Sequence, residues 1–128
     1  MGIHVYWEDE AQTIVCARFD VEWSIEEYHQ SIDDIYALVT SVAHHVSLIS
    51  DFTLSHAPPR QLLLANRHIE SRRPSNSDVT VIVGANSFIQ VLIEIGQKLH
   101  LKNFNIYSVK TMPEAYQIIK QLRQNSTV

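Results

Sequence analysis

The chain has 128 residues, 45% hydrophobic and 19% charged, which suffices for one buried core and leaves no room for two comfortable ones. Ten Lys and Arg against 14 Asp and Glu give a formal net charge of -4, which argues against a dedicated nucleic-acid binder with its basic surface. A lone cysteine, Cys16, excludes an internal disulfide, and no apolar run approaches the roughly 20 residues of a membrane span. The opening "MGIHVYWEDE" lacks the charged start and apolar block of a signal peptide. Its Gly2 is followed by Tyr6, where a myristoylation motif wants Ser or Thr. These features predict one soluble, cytoplasmic domain over residues 1–128, with no membrane insertion and a buried, reduced thiol.

Ile3, Val5 and Trp7 alternate with His4 and Tyr6, the period-two pattern of a half-buried strand. Residues 13–19, "TIVCARF", read as a second strand, and so short a link makes the pair antiparallel. Ser24 and Glu27 form an S-x-x-E capping box that opens a helix running to about residue 44. Ile25, Tyr28, Ile32, Ile35, Val39 and Val42 step along its buried face. "VSLISDF", 46–52, is a third strand, followed by Pro58 and Pro59, which suit the first turn of a second helix. That helix carries Leu62, Leu63 and Ile69, and Pro74 stops it after Arg73.

"DVTVIVG", 78–84, has the nearly unbroken apolar pattern of a central parallel strand covered on both faces. Asn86 or Ser87 caps a third helix through Leu99, and residues 104–109 form a fifth strand. "TMPEAYQIIKQLRQ" closes the chain as a fourth helix, with Thr111 and Glu114 as a second capping box. The last four residues are expected to fray. The order β-β-α-β-α-β-α-β-α predicts an α/β fold: a mixed, mostly parallel five-stranded sheet with four helices. Leu48, Ile49, Val81, Val83, Leu92 and Ile119 are expected in one contiguous core.

The strand "VSLISDF" ending in Asp51 and the close "FNIYSVKTMPEAYQIIKQL", with this element order, resemble the STAS domain. That is the module of anti-sigma factor antagonists and of sulphate-transporter tails, and the resemblance covers nearly the whole chain. The pattern is also similar to lipid-binding SEC14-type domains. The resemblance implies a regulatory domain whose phosphorylated form carries an Asp-Ser pair just before the second helix. Here the corresponding place reads "HAPPR", with Ala57, Pro58 and Pro59, and no hydroxyl. Ser55 is the nearest candidate phosphoacceptor, a few residues early.

Asp51, Ser55 and His56 suggest a hydrolase triad, but neighbours in an extended loop point apart and no G-x-S-x-G elbow is present. Asp51 is expected instead to accept N–H groups of its own loop. The adjacent pair His44-His45 lacks the i, i+4 spacing that puts two imidazoles on one helix face, so no metal site is expected. Arg60, Arg67, Arg72 and Arg73 gather four of the ten basic residues on or beside the second helix. Cations near a helix end favour its dipole, and the same four would also suit an acidic partner. Gly84 opens a strand-to-helix turn without a G-x-G-x-x-G or P-loop pattern. Trp7 is expected in the core, and Trp23 is expected either to staple the first helix or to meet a partner.

The leading expectation is a non-enzymatic module, without cofactor, that acts on a regulatory protein partner through residues 51–60 and the second helix. Asp51, Ser55, His56, Arg60 and Arg67 are the predicted contact residues. A homodimer is compatible with this reading. The alternative is a carrier of a small apolar ligand or lipid, held between helices and sheet.

Overall fold

The computed structural model describes residues 2–55, 74–84 and 106–125. They form an α/β unit around a five-stranded mixed sheet: β1 (Ile3–Trp7), β2 (Ile14–Phe19), β3 (Val46–Asp51), β4 (Ser77–Val83) and β5 (Ile106–Val109). Sequence order is also spatial order, with β1 antiparallel to β2 and every later neighbour parallel. Two helices stand among the described residues, α1 (Ile25–Thr40) and α2 (Met112–Asn125). The helices expected at 58–73 and 86–99 lie outside the described residues, as does Leu92, so two helices are described where four were expected. Neither described helix is long and apolar enough to cross a membrane.

The antiparallel opening follows from the turn after β1. Asp9 accepts the N–H of Thr13 at 2.8 Å, the N–H of Ile14 at 3.0 Å and the hydroxyl of Thr13. Burial works against a charged Asp9, but those hydrogen bonds and the nearby Arg123 outweigh it and hold the carboxyl below its ordinary value. A carboxyl depressed on folding contributes stability that is complete above its unfolded value and is lost as pH falls through the lower folded one. Asp9→Asn is therefore expected to flatten the acid side of the stability profile below about pH 4. Acid titration of the denaturation midpoint for both proteins checks this, and parallel curves would contradict it.

The alternation of each strand splits the interior in two. On one face Val15, Ala17 and Phe19 pack with Ile35, Tyr36 and Val39 of α1, and with Val46 and Phe52. On the other, Cys16, Ile49, Val79, Val81 and Val83 pack with Val109 and with Ala115 and Ile119 of α2. The expected single core is thus two clusters separated by the sheet. Leu48 is a half-buried member of the α1 side, because its side chain points away from that of Ile49. The thiol of Cys16 is fully buried, and burial is the main cause that pushes it up to about 11. In β4 only Val79, Val81 and Val83 are fully covered, and Thr80 and Ile82 on the α1 side are half-buried.

The first capping box is complete: Glu27 N–H donates to Ser24 Oγ at 3.1 Å, and Ser24 N–H donates to Glu27 Oε1 at 3.2 Å. At the other end, α1 stops at Thr40 rather than near residue 44. The side-chain amide of Asn76 donates to the carbonyls of Val39, Val42 and His44 at 2.8, 3.1 and 3.0 Å. Those carbonyls are among the ones a helix end leaves unpaired, so a residue from the start of β4 finishes the helix. At the close, Glu114 N–H donates to Thr111 Oγ1 at 3.4 Å, while the Thr111 hydroxyl donates back to Glu114 Oε1 at 3.2 Å. This reciprocal pair serves the same end as the expected capping box. Arg123 then ties α2 to the sheet, donating to Thr13 Oγ1, Thr13 O and Ser47 Oγ at 3.1, 2.8 and 3.2 Å.

Candidate functional site

In open α/β sheets ligands and partners are met at the carboxyl ends of the strands. Here that edge gathers the turn after β2, the loop 52–55 after β3, and Gly84 after β4. Asp51 Oδ1 accepts the N–H of Thr53 at 3.0 Å and its hydroxyl at 2.7 Å, as expected of a carboxylate that caps its own turn. Phe52 turns inward: its N–H donates to Val83 O at 2.8 Å, and its ring stacks on Phe19 at 4.2 Å between centroids. Ser55 N–H donates to Phe52 O at 3.0 Å, closing the loop.

A second tie comes from the start of α1. Trp23 Nε1–H donates to Ser55 Oγ at 2.7 Å across 32 residues. The indole itself is fixed edge-on to Phe19, with centroids 5.0 Å apart, and lies near Tyr28 and Phe52. Its contact with Tyr28, 5.9 Å between centroids, is the expected staple at the start of α1, and the half-buried indole also reaches the surface loop. A third constraint is Gly84, whose φ is +69° and whose N–H donates to Val109 O at 3.0 Å. A Cβ there would lie 2.7 Å from Thr53 Cγ2 and 2.9 Å from Thr53 Cα, so only glycine lets the two loops touch.

Of the five predicted contact residues, the structure places Asp51 and Ser55 on this one loop. His56, Arg60 and Arg67 lie outside the described residues, as do Arg72 and Arg73. The surface around the loop has a distinct character. Val21 and Leu54 are 47% and 54% exposed. No Lys or Arg occurs between Arg18 and Arg60. Asp20, Glu22 and Glu27 line an open depression of about 520 Å³ with Gly2, Trp23 and Ser24. The Gly2 N–H, 2.5 Å from Glu27 Oε2, is the main cause holding that carboxyl below its ordinary value, with Ser24 assisting.

Beneath the edge on the α2 face, Arg18 stands opposite Asp51 in the β2–β3 ladder, so both project from the same side of the sheet. The hydroxyl of Tyr116 donates to Glu8 Oε1 across this face. Burial, then Glu8, push Tyr116 above the ordinary tyrosine value. At the far edge an open cleft of about 440 Å³ runs along α2, lined by Ile14, Tyr116, Ile119, Lys120, Arg123 and Gln124.

Chemically, the loop is built to hold a shape. An indole N–H only donates, so the contact that Ser55 makes with Trp23 cannot draw a proton from its hydroxyl. No group of three or more His, Cys, Asp or Glu side chains is placed to hold a metal ion among the described residues. His44 contacts Gln12 O at 2.8 Å, and His4 contacts Asp20 Oδ2 at 3.0 Å. Two features at the site escape sequence reasoning, the Trp23–Ser55 bond and the Gly84–Thr53 contact. The aromatic residue just ahead of S-x-x-E and the glycine ending an apolar strand were their only signals. Compared with known proteins, the chain matches no family model and no curated sequence.

Proposed function

We propose that this chain is a non-enzymatic, cytoplasmic regulatory module of STAS-like type, working by protein contact through the loop after β3. The observation that carries the reading is the bond from Trp23 Nε1 to Ser55 Oγ, which anchors an exposed loop to a buried aromatic cluster. A surface held ready in the free protein loses less entropy when a partner binds. The antiparallel opening pair followed by parallel strands in simple order supports the same reading. The depression beside the loop and the groove along α2 are both open to the surface, as a contact face would be. Should the loop be phosphorylated, Ser55 is the candidate acceptor, and a phosphate on its Oγ would displace the indole and loosen the loop.

The test is affinity capture from native extract with wild-type protein, Asp51→Asn and Ser55→Ala as baits, read by quantitative mass spectrometry. Asp51→Asn is expected to keep the fold and to lower stability by about 1 kcal/mol, the scale of one charge-assisted bond. A protein enriched by the wild type and depleted with both variants supports the proposal. Equal enrichment with all three baits contradicts it. A small apolar molecule retained by the gently purified chain in native mass spectrometry would move the reading to the carrier.

A further inference from the structure

Strand β1 is the edge of the sheet among the described residues, and its ladder contacts fix which backbone groups point outward. Gly2 O accepts Asp20 N–H at 2.8 Å, and Glu8 N–H donates to Ile14 O at 2.8 Å. In the antiparallel register that pairs His4 with Arg18 and Tyr6 with Cys16, alternate residues therefore bond inward to β2. The N–H and C=O groups of the residues between them, Ile3, Val5 and Trp7, face away from β2. Their side chains lie on the α1 side and are half-buried against its cluster.

Natural edge strands are usually blunted by lysine, proline, a bulge or an inward charge. β1 reads "IHVYW", with no Lys, Arg, Asp, Glu or Pro, and its register with β2 runs unbroken from Ile3 to Trp7. It is also complementary to itself. A two-fold axis through Val5 would pair Ile3 with Trp7 of a second copy and Val5 with its own counterpart, all on the half-buried apolar side. On the opposite side it would set His4 against Tyr6 of the second copy, and no like charges would meet along the strand.

We propose that β1 is a homodimerisation edge, across which two copies join antiparallel into one continuous sheet. The occupant is a second copy because the palindromic pattern matches this strand to itself. The three outward-facing residues of each copy would supply about six ladder hydrogen bonds. Such an interface is small, so the dimer forms and dissociates with concentration. The inference is argued from the β1 ladder alone and does not rest on the contact surface proposed at the loop after β3.

The test combines light scattering across a concentration series with amide hydrogen exchange read by NMR. The expected result is a mass rising from 14.7 kDa toward twice that value. In step with it, exchange should slow at the amides of Ile3, Val5 and Trp7. Val5→Pro removes an outward N–H while sparing the inward ladder bonds, and is expected to stay folded and monomeric. A monomer at every concentration would overturn the proposal, as would a dimer whose Ile3, Val5 and Trp7 amides exchange as fast as in dilute protein. If Val5→Pro does not fold, the exchange rates of the wild-type amides decide alone.

Discussion

Ile49→Ala is expected to lower the free energy of unfolding by about 3–4 kcal/mol, among the largest effects of any single truncation. Ile49 lies in β3, the middle strand of five, and is 1% exposed. Across the two ladders it is flanked by Cys16 and Val81, both fully buried, and α2 covers it with Ala115 and Ile119. Removing three carbons there loses their transfer free energy and leaves a cavity that neighbours on two strands cannot close without breaking the sheet register. Leu48→Ala makes the internal control. Its side chain is half-buried on the other face, so the loss should be clearly smaller. Denaturant unfolding of both variants checks the pair, and equal losses would show that the two faces are not packed as described.

The second large effect is expected at Gly84, where two penalties coincide. A φ of +69° is costly for a residue with a Cβ and worst for a β-branched one. The added atoms would also press on Thr53, including its backbone Cα at 2.9 Å, which cannot swing aside as a side chain would. Gly84→Val is expected to cost about 2–4 kcal/mol, and Gly84→Ala about half of that. The change should reach beyond stability. Thr53 is the residue whose N–H and hydroxyl Asp51 holds, so pushing it away undoes the turn that shapes the proposed contact surface. Thermal unfolding together with the chemical shifts of residues 51–55 would show both consequences. A stable variant with unmoved shifts would mean that Gly84 does not set the loop.

The fold class was legible in the chain because its signals are local. The alternation in "IHVYW", the apolar run "TIVCARF" and the S-x-x-E box each depend on neighbours one to four residues apart, and each appears where it was expected. The departures have two sources, a long-range contact and the strands' own period. α1 ends about four residues before the expected point because the residue that finishes it, Asn76, comes from more than 30 residues downstream. The expected single core is two clusters because the strands' own period assigns adjacent side chains, such as Leu48 and Ile49, to opposite faces. At the site, Asp51 could be read as a turn acid from its place after a strand. Its neighbour Ser55 could not be matched to Trp23, since no pattern in the sequence links positions 32 apart.

The central claim is that the loop after β3 is held in one shape before any partner arrives, and backbone ¹⁵N relaxation of the free protein tests it most directly. Residues 52–55 are expected to show order parameters near the rigid-backbone value of about 0.85, with a Trp23 indole proton that exchanges slowly. In Ser55→Ala the same residues should loosen while β3 itself stays rigid. Order parameters below about 0.6 across 52–55 in the wild type, or no change on removing the Ser55 hydroxyl, would contradict the account.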